Sequence, residues 1–482
     1  MTSLPKEDRV TWRIFRKRFL PLILIAAATA SLILVGNWWA KRYAFTVKRD
    51  LDSIRNSGKL RILLSYDPIN YFIYSGAPMG YSYELAKNFA SELGIPLEVV
   101  VIRDMNQQLT MLRKGDCDIV AHFLTITEPR TGIVDFSTPL DSTQQVLVQH
   151  KPTKGDSTNL VRKVEGLDGK TVYVRMNSSY YTRLNEIMKE KDILINIVTV
   201  QGTLTTSELI GKVNEGSIEF TVADDNIAST HKALYHNIDS ETKLSTTQPL
   251  AWAVRRNSPM LLGALNRWLE QKKKSGDLAA MHDKYYNRQY QFRKHAVHAF
   301  YSSHAGRISP YDDLIRKHAK TIDWDWRLLS ALIYEESQFD PEAVSWAGAI
   351  GLMQLMPSTS AELNAGDMFS PAENIKTGTA YLVSLEKEWQ DIKDQATRLK
   401  FILASYNVGP GHVRDAQKLA SKFGANPNSW EGNVERYLEL KSEPRYYNDD
   451  AASLGYCNGK LAVLYTRNII NRYGLYSQVI PK

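Results

Sequence analysis

Cysteine is scarce in this chain: only Cys117 and Cys457 occur among 482 residues. A chain of this length with two cysteines cannot be a disulfide-stapled scaffold, and it lacks the thiolates of a structural zinc site. No His-Glu-x-x-His motif or close cluster of His and Asp is present either. We place the two cysteines in different domains and expect them not to pair. The sequence therefore predicts no metal and no cofactor.

Acidic residues are also in deficit, and the net charge is +8. No basic stripe with interleaved aromatic residues accompanies that charge, so nucleic acid is not an expected partner; a basic surface also suits an anionic wall polymer or phospholipid. The 43% hydrophobic and 23% charged residues are typical of a globular protein and exclude a disordered or multi-spanning chain. A length of 482 residues predicts two large domains with an appendage.

Charged residues are absent between Phe19 and Ala40, a run long enough to cross a bilayer as a helix of about 20 residues. Arginine and lysine precede it, so residues 1–18 are expected to stay in the cytoplasm and residues 19–40 to form a transmembrane anchor. A cleaved signal peptide is the alternative, because residues 26–30 offer small side chains to a peptidase. The apolar run continues to Val35, which favours the anchor.

Residues 58–288 alternate between strand and helix patterns. Apolar runs at 60–64, 95–102 and 117–121 predict buried strands, and helical spacing at 83–93 and 105–113 predicts helices between them. This βαβα order predicts a parallel sheet flanked by helices.

Four segments of this domain resemble the amino-acid-binding solute-binding proteins of bacterial importers: residues 79–86, 115–119, 124–130 and 135–139. The resemblance implies a periplasmic-binding-protein-like fold with two α/β lobes, here 58–148 with 250–285, and 149–249. It also implies the residues that would hold a ligand. These are Thr125 and Arg130 for a carboxylate, Asp224 or its neighbour Asp225 for an ammonium group, and Arg175, Ser178 and Ser179 on the second lobe. A free amino acid or a wall-derived peptide is the expected ligand, and regulation is the expected role.

Residues 289–307 are basic and without periodicity, which is typical of a linker. From residue 308 to 482 the pattern becomes helical, with apolar residues at helical spacing in 311–320, 326–336, 375–389, 397–406 and 434–440. Few runs typical of strands remain, so an α-rich domain is expected.

Three segments of the second domain, 334–341, 351–357 and 404–411, resemble the lytic transglycosylase domain, a relative of goose-type lysozyme. The resemblance implies cleavage of bacterial cell-wall glycan between N-acetylmuramic acid and N-acetylglucosamine, with Glu336 as the catalytic residue and a 1,6-anhydro sugar as the product. It implies substrate contacts by Ser337, Met353, Gln354, Tyr406 and Asn407, with Tyr406 orienting Glu336 or the substrate; Met353 could equally belong to the core.

Glu336 stands at the end of a predicted helix, where the helix dipole and an apolar setting both raise the pKa of a carboxyl group. Glu335 is one position round the helix and is expected to point elsewhere. Hydrolytic glycosidases usually need two carboxylates, but the matching segments supply one. The nearest candidates for a second carboxylate are Asp340, Asp323 and Asp325. Asp340 is typical of a turn, and the other two are typical of the start of a helix, so structural positions are expected for all three.

The sequence thus predicts a multidomain protein: a membrane segment, a two-lobed α/β regulatory domain and an α-rich lysozyme-like domain that acts as a carbon–oxygen lyase on peptidoglycan. Its predicted location is the periplasmic face of the envelope, anchored in the inner membrane, with the outer-membrane periphery as the alternative that the resemblance allows. The alternative function is a wall-sensing binding protein without catalysis. A transport receptor is disfavoured by the fusion of the two domains.

Overall fold

The computed structural model describes residues 47–102, 104–151, 160–201, 204–232, 235–287 and 306–482. The predicted flank at 1–18, the anchor at 19–40 and nearly all of the linker at 289–307 lie outside these residues. Among the residues described, no helix is both long and apolar enough to span a bilayer.

The strands all belong to the first domain, as far as the structure describes the chain. They are β1 (Leu60–Ser65), β2 (Phe72–Tyr74), β3 (Ala77–Met79), β4 (Leu97–Ile102), β5 (Ile119–Thr125), β6 (Val134–Phe136), β7 (Asp141–Thr143), β8 (Gln145–His150), β9 (Thr171–Arg175), β10 (Asn196–Val200), β11 (Phe220–Asp224), β12 (Ile238–Lys243) and β13 (Gln248–Arg255). The helices of this domain are α1 (Leu51–Asn56), α2 (Tyr81–Leu93), α3 (Gln108–Lys114), α4 (Glu128–Thr131), α5 (Ser179–Lys191), α6 (Thr206–Asn214), α7 (Asp225–Lys232), α8 (Pro259–Ser275) and α9 (Asp277–His282).

Two sheets form the two lobes. The first has the order β4-β1-β5-β13-β6, with β7 also paired to β13, and the second has the order β10-β9-β11-β8-β12. Strand β1 is parallel to β4 and β5, but β13 is antiparallel to β5. Each sheet is therefore mixed, unlike the parallel sheet that the βαβα pattern predicts. The second sheet also begins at Gln145 and ends at Lys243, so the chain crosses between lobes earlier than expected on both passes.

The second domain consists of helices: α10 (Asp312–Thr321), α11 (Trp326–Ser337), α12 (Pro357–Glu362), α13 (Pro371–Glu388), α14 (Gln395–Val408), α15 (Pro410–Lys422), α16 (Glu435–Leu440), α17 (Pro444–Tyr447) and α18 (Gly459–Val479). Helix α11 is the centre of this domain, because Leu329, Leu332 and Ile333 are fully buried on it. Helix α11 packs against α18, a 21-residue helix that the sequence patterns did not reveal, and the contacts reach both ends of α11.

Helix α18 also contacts the first domain at the β2–β3 hairpin. The turn consists of Ser75 and Gly76, both with positive φ (45° and 78°), as a two-residue type I′ turn requires. The carbonyl oxygen of Gly76 accepts hydrogen bonds from the Tyr476 hydroxyl at 2.7 Å and from Arg472 Nη1 at 3.3 Å. The hairpin is thus held by the helix that packs on α11.

A second contact lies on β4, an edge strand of the first sheet. Gln478 accepts a hydrogen bond from Val101 N at 2.7 Å and donates one to Val99 O at 3.3 Å. The side chain thereby pairs backbone groups that an edge strand leaves open. Buried apolar side chains of the first lobe and of the helical domain form one continuous cluster.

Candidate active site and ligand cavity

Glu336 is the penultimate residue of α11. The helix begins with Asp325 as N-cap, whose carboxylate accepts from Arg327 N at 2.9 Å, and it ends at Gln338 in the left-handed conformation. Buried apolar residues along α11 fix the helix in the core, so its last turn carries Glu336 to a defined place.

Tyr465 on α18 donates a hydrogen bond from its hydroxyl to Glu336 Oε1. The resemblance assigned the orienting role to Tyr406, and Tyr465 was not among the expected residues. Its partner in space is 129 residues away in sequence, and no spacing rule connects the two.

The pKa of Glu336 is raised to about 8. Removal of water by the surrounding protein is the main cause; the hydrogen bond from Tyr465 acts in the opposite direction, and the charge of Glu335 adds to the rise. Glu336 is nevertheless only partly buried as a residue. It is therefore mostly protonated at neutral pH and still accessible, as a general acid must be.

Glu335 and Glu336 both face α18, but they contact different side chains of that helix. Glu335 accepts hydrogen bonds from Asn468 Nδ2 at 2.8 Å and Arg472 Nη2 at 3.3 Å, both on α18. The guanidinium of Arg472 lies 3.8 Å above the ring of Tyr334. Glu335 is thus half-buried and paired with two side chains of α18.

The segment 343–356, which we call the wall, contacts the last turn of α11, the turn that carries Glu336. Ser337 donates its hydroxyl proton to Leu352 O at 2.8 Å, so this side chain braces the wall in the structure. Gln354 has φ +47° and donates both amide hydrogens, to Ala343 O at 3.0 Å and Gly351 O at 2.9 Å. Its side-chain oxygen is the atom left for a sugar, and the substrate contacts of both residues stay predictions.

Met353 is fully buried and packs against Gly378, which places its side chain in the core. Its carbonyl oxygen accepts the hydroxyl proton of Tyr406 at 2.8 Å. Burial, and next the charge of Glu336, raise the pKa of Tyr406 well above its ordinary range. Tyr406 is therefore close to Glu336 but bonded to the wall, and Asn407 beside it is exposed.

A second carboxylate is not paired with Glu336 among the described residues. Asp325 caps the opposite end of α11, about 16 Å away at 1.5 Å per residue. Asp340 accepts from Glu342 N at 3.0 Å within a turn. Both carboxylates therefore have the structural positions that the sequence predicts for them.

The cleft between the two lobes contains a cavity of about 90 Å³. The six predicted ligand residues all line it: Thr125, Arg130, Arg175, Ser178, Ser179 and Asp224. Arg130 donates from Nη1 to Thr125 O at 2.9 Å, and Ser178 is the N-cap of α5. Residues from both sheets thus meet at one place.

The polar groups of this cavity are not all satisfied. Asp224 Oδ1 and Arg175 Nε are buried without a hydrogen-bond partner in the described part of the chain, which leaves them to a ligand or water. Burial raises the pKa of Asp224 to about 7, against the hydrogen bond with Tyr180 and the charges of the two arginines. Asp225 instead accepts from Thr143 Oγ1 at 2.8 Å and Asn226 N at 2.8 Å. Of the two candidates for an ammonium partner, Asp224 is the one that faces the cavity.

Comparison with known proteins agrees with this division of the chain. Residues 59–288 match the model of bacterial extracellular solute-binding proteins, family 3, and residues 313–428 match the transglycosylase SLT domain. Tyr465 lies beyond the second match.

Relatives along nearly the whole chain carry one name. The membrane-bound lytic murein transglycosylase F of Desulfosudis oleivorans is 36% identical over 461 residues, which cover 96% of this chain and 98% of the relative. The protein of the same name from Alcanivorax borkumensis is 30% identical over 88% of this chain and 89% of its own length. Among solved structures, an ancestral arginine-binding protein bound to arginine is 26% identical with a TM-score of 0.42, over 48% of this chain and 99% of that one.

Proposed function

Because the chain belongs to the family of membrane-bound lytic murein transglycosylase F, we propose that Glu336 is its single catalytic acid and base and that 1,6-anhydromuramic acid is its product. The chain is a peptidoglycan lytic transglycosylase. The observation that carries the proposal is a carboxyl group with a pKa of about 8, hydrogen-bonded to Tyr465, with no second carboxylate paired to it in the described residues.

Protonated Glu336 donates its proton to the glycosidic oxygen as the bond from that oxygen to C1 of muramic acid breaks. The resulting carboxylate accepts the proton of the muramic C6 hydroxyl, and the C6 oxygen bonds to C1. Glu336 ends as it began, and no water is consumed. The nucleophile belongs to the substrate, so the two-carboxylate arrangement of a hydrolase is not needed.

Tyr465 holds one oxygen of Glu336, which leaves the other to exchange the proton with the substrate. The side-chain oxygen of Gln354 and the exposed amide of Asn407 are available for the acetamido and hydroxyl groups of the sugars.

We further propose that the first domain regulates the second through a ligand bound in the interlobe cavity. Arg130, Arg175 and Asp224 line the same cavity. Two guanidinium groups suit the carboxylate of a free amino acid or a wall peptide, and the carboxyl group of Asp224 suits its ammonium group. A ligand that binds the closed lobes better than the open ones shifts that equilibrium by its difference in affinity.

Residues 19–40 are proposed to anchor the chain in the inner membrane, with both domains in the periplasm. The uncharged run and its basic flank support this orientation, and the relatives are named as membrane-bound.

The test is mass spectrometry of sugars released from purified peptidoglycan by the full-length chain, by Glu336→Gln and by Glu443→Gln. The glutamine keeps the shape of Glu336 but cannot donate the proton, so we expect a loss of anhydro products of at least 100-fold. Glu443 is an exposed carboxylate of the same domain, and its variant should match the wild type. Reducing-end products would mean hydrolysis. Glycan binding without release by any of the three proteins would favour the wall-sensing function.

A further inference from the structure

Trp346 is fully exposed, at 100% of its reference surface. Large aromatic side chains are buried on average, and an indole without cover exposes apolar area that folding normally removes from water. Val344 and Met356, at 59% and 41% exposure, are open on the same segment. The segment 343–356 therefore presents an apolar surface led by one tryptophan.

The indole stands on a closed turn. Ser345 N donates to Ala349 O at 2.9 Å, Gly348 N donates to Ser345 O at 2.9 Å, and Ala349 N donates to Ser345 Oγ at 2.9 Å. Gly348 has φ +86°, which a residue with a side chain rarely adopts. The turn is thus held by backbone bonds on both sides of Trp346, and its exposure follows from a defined conformation.

The turn continues directly into the wall of the active site. Val344 forms an antiparallel bridge with Ile350, and Ile350 forms another with Leu355. The carbonyl oxygen of Ala343 accepts from Gly351 N at 2.8 Å and from Gln354 Nε2 at 3.0 Å. Trp346 is three residues from Ala343, at most about 10 Å along the chain. The same small unit therefore places both Gln354 and the indole.

We propose that Trp346 is a stacking platform for the glycan strand, in contact with sugar rings beyond the pair that flanks the cleaved bond. A pyranose ring has an apolar face of C–H groups and a polar edge of hydroxyls, which matches a flat indole with one N–H donor. The occupant is a sugar polymer because the surface is continuous with the site that cleaves one. Lysine and arginine, which attach surface helices and loops to anionic lipid, are absent from 343–356. The assignment rests on the proposed function.

The experiment compares full-length wild type, Trp346→Ala, Trp346→Phe and Leu194→Ala on two substrates, intact peptidoglycan and a short soluble glycan that spans only the cleaved bond. Leu194 is an exposed apolar residue of the other domain, at 78% exposure. For Trp346→Ala we expect KM on intact peptidoglycan to rise about tenfold with kcat unchanged. The phenylalanine variant should recover most of the loss. The short glycan and the Leu194→Ala variant should show no change.

An unchanged KM on intact peptidoglycan would overturn the assignment, as would an equal loss on both substrates, which would mean a disturbed active site. Sedimentation with intact peptidoglycan in a Glu336→Gln background separates the two proposals. Weaker binding after Trp346→Ala supports the platform even if Glu336→Gln proves fully active and the catalytic role fails. Equal binding with and without Trp346 rejects it.

Discussion

Two side chains, Tyr465 and Glu335, shift the pKa of Glu336 in opposite directions. The hydrogen bond from Tyr465 favours the charged form, and the nearby charge of Glu335 favours the protonated form. Loss of water around the group outweighs the hydrogen bond, so the folded protein keeps a proton that free glutamate would release. The environment of this carboxyl group, rather than its identity, makes it an acid at neutral pH.

Tyr465→Phe and Glu335→Gln should shift the alkaline limb of the pH profile of kcat/KM in opposite directions. The acid must be protonated, so activity falls as the pH rises through the pKa of Glu336. Tyr465→Phe removes a contact that lowers this pKa, and the limb should move to higher pH with kcat reduced about 10- to 100-fold through lost orientation. Glu335→Gln removes a charge that raises it, and the limb should move to lower pH. The measurement is the pH profile of both variants beside the wild type.

Asn468→Ala is the control for the second variant, because it removes a partner of Glu335 and leaves the charge in place. If the alkaline limbs of the pH profiles of Tyr465→Phe and Glu335→Gln shift in the same direction, the causes assigned to the pKa of Glu336 are wrong.

Helix α18 connects three parts of the molecule: α11, the β2–β3 hairpin and strand β4. Its side chains form hydrogen bonds with Glu336 and Glu335 on α11, with Gly76 in the hairpin and with Val101 on β4. The sequence patterns did not predict this helix. Its partners are far away in the chain, and it shows no narrow apolar stripe, because it is buried on more than one side.

Gly76→Ala should destabilise the protein through this contact. A Cβ at Gly76 would lie 2.5 Å from the Tyr334 ring and 2.7 Å from Phe339, in addition to the strain of φ +78°. Gly58→Ala is the matched control, since Gly58 has φ +69° and nothing within 4 Å of an added Cβ. We expect a loss of about 1 kcal/mol for the control and about 3 kcal/mol or more for Gly76→Ala. Thermal unfolding measures both, and equal losses would mean that the contact with α11 contributes nothing.

The cavity and the active site lie in different domains, and the route between them consists of the first sheet, the β2–β3 hairpin and α18. The proposed lobe closure would move the sheets that hold the cavity residues, and the first sheet is bonded to α18 through Val99 and Val101. A ligand effect on activity therefore has a physical path.

Arg130→Ala should abolish binding in the cavity and leave activity without ligand intact. A bound ligand at 100 times its dissociation constant stabilises the folded chain by about 2.7 kcal/mol. A panel of free amino acids and soluble wall peptides should include one that raises the melting temperature of the wild type and changes its rate on peptidoglycan. Neither effect should remain in Arg130→Ala, whereas the exposed Arg256→Ala should behave as wild type. A ligand that shifts melting but never the rate would reject the regulatory role.

Local patterns predicted Glu336 at the end of its helix, because neighbouring residues determine where a helix forms and where it ends. The six cavity residues could be predicted as one group because the family that the sequence resembles has a two-lobed fold, which brings these positions together. What failed was long-range pairing. The sheets are mixed because β13, at residues 248–255, runs antiparallel to β5. For Met353 the sequence left both the core and the cleft open, and Gly378 on another helix leaves space for its side chain in the core.

The position of α18 has a consequence for synthesis of the chain on the ribosome. Glu336 and the wall at 343–356 emerge well before Tyr465, and the contacts of Tyr476 and Gln478 with the first domain are made later still. A nascent chain that has folded through residue 458 carries its acid without the partner that orients it. Translation therefore completes the active site only after the domain proposed to control it has been made.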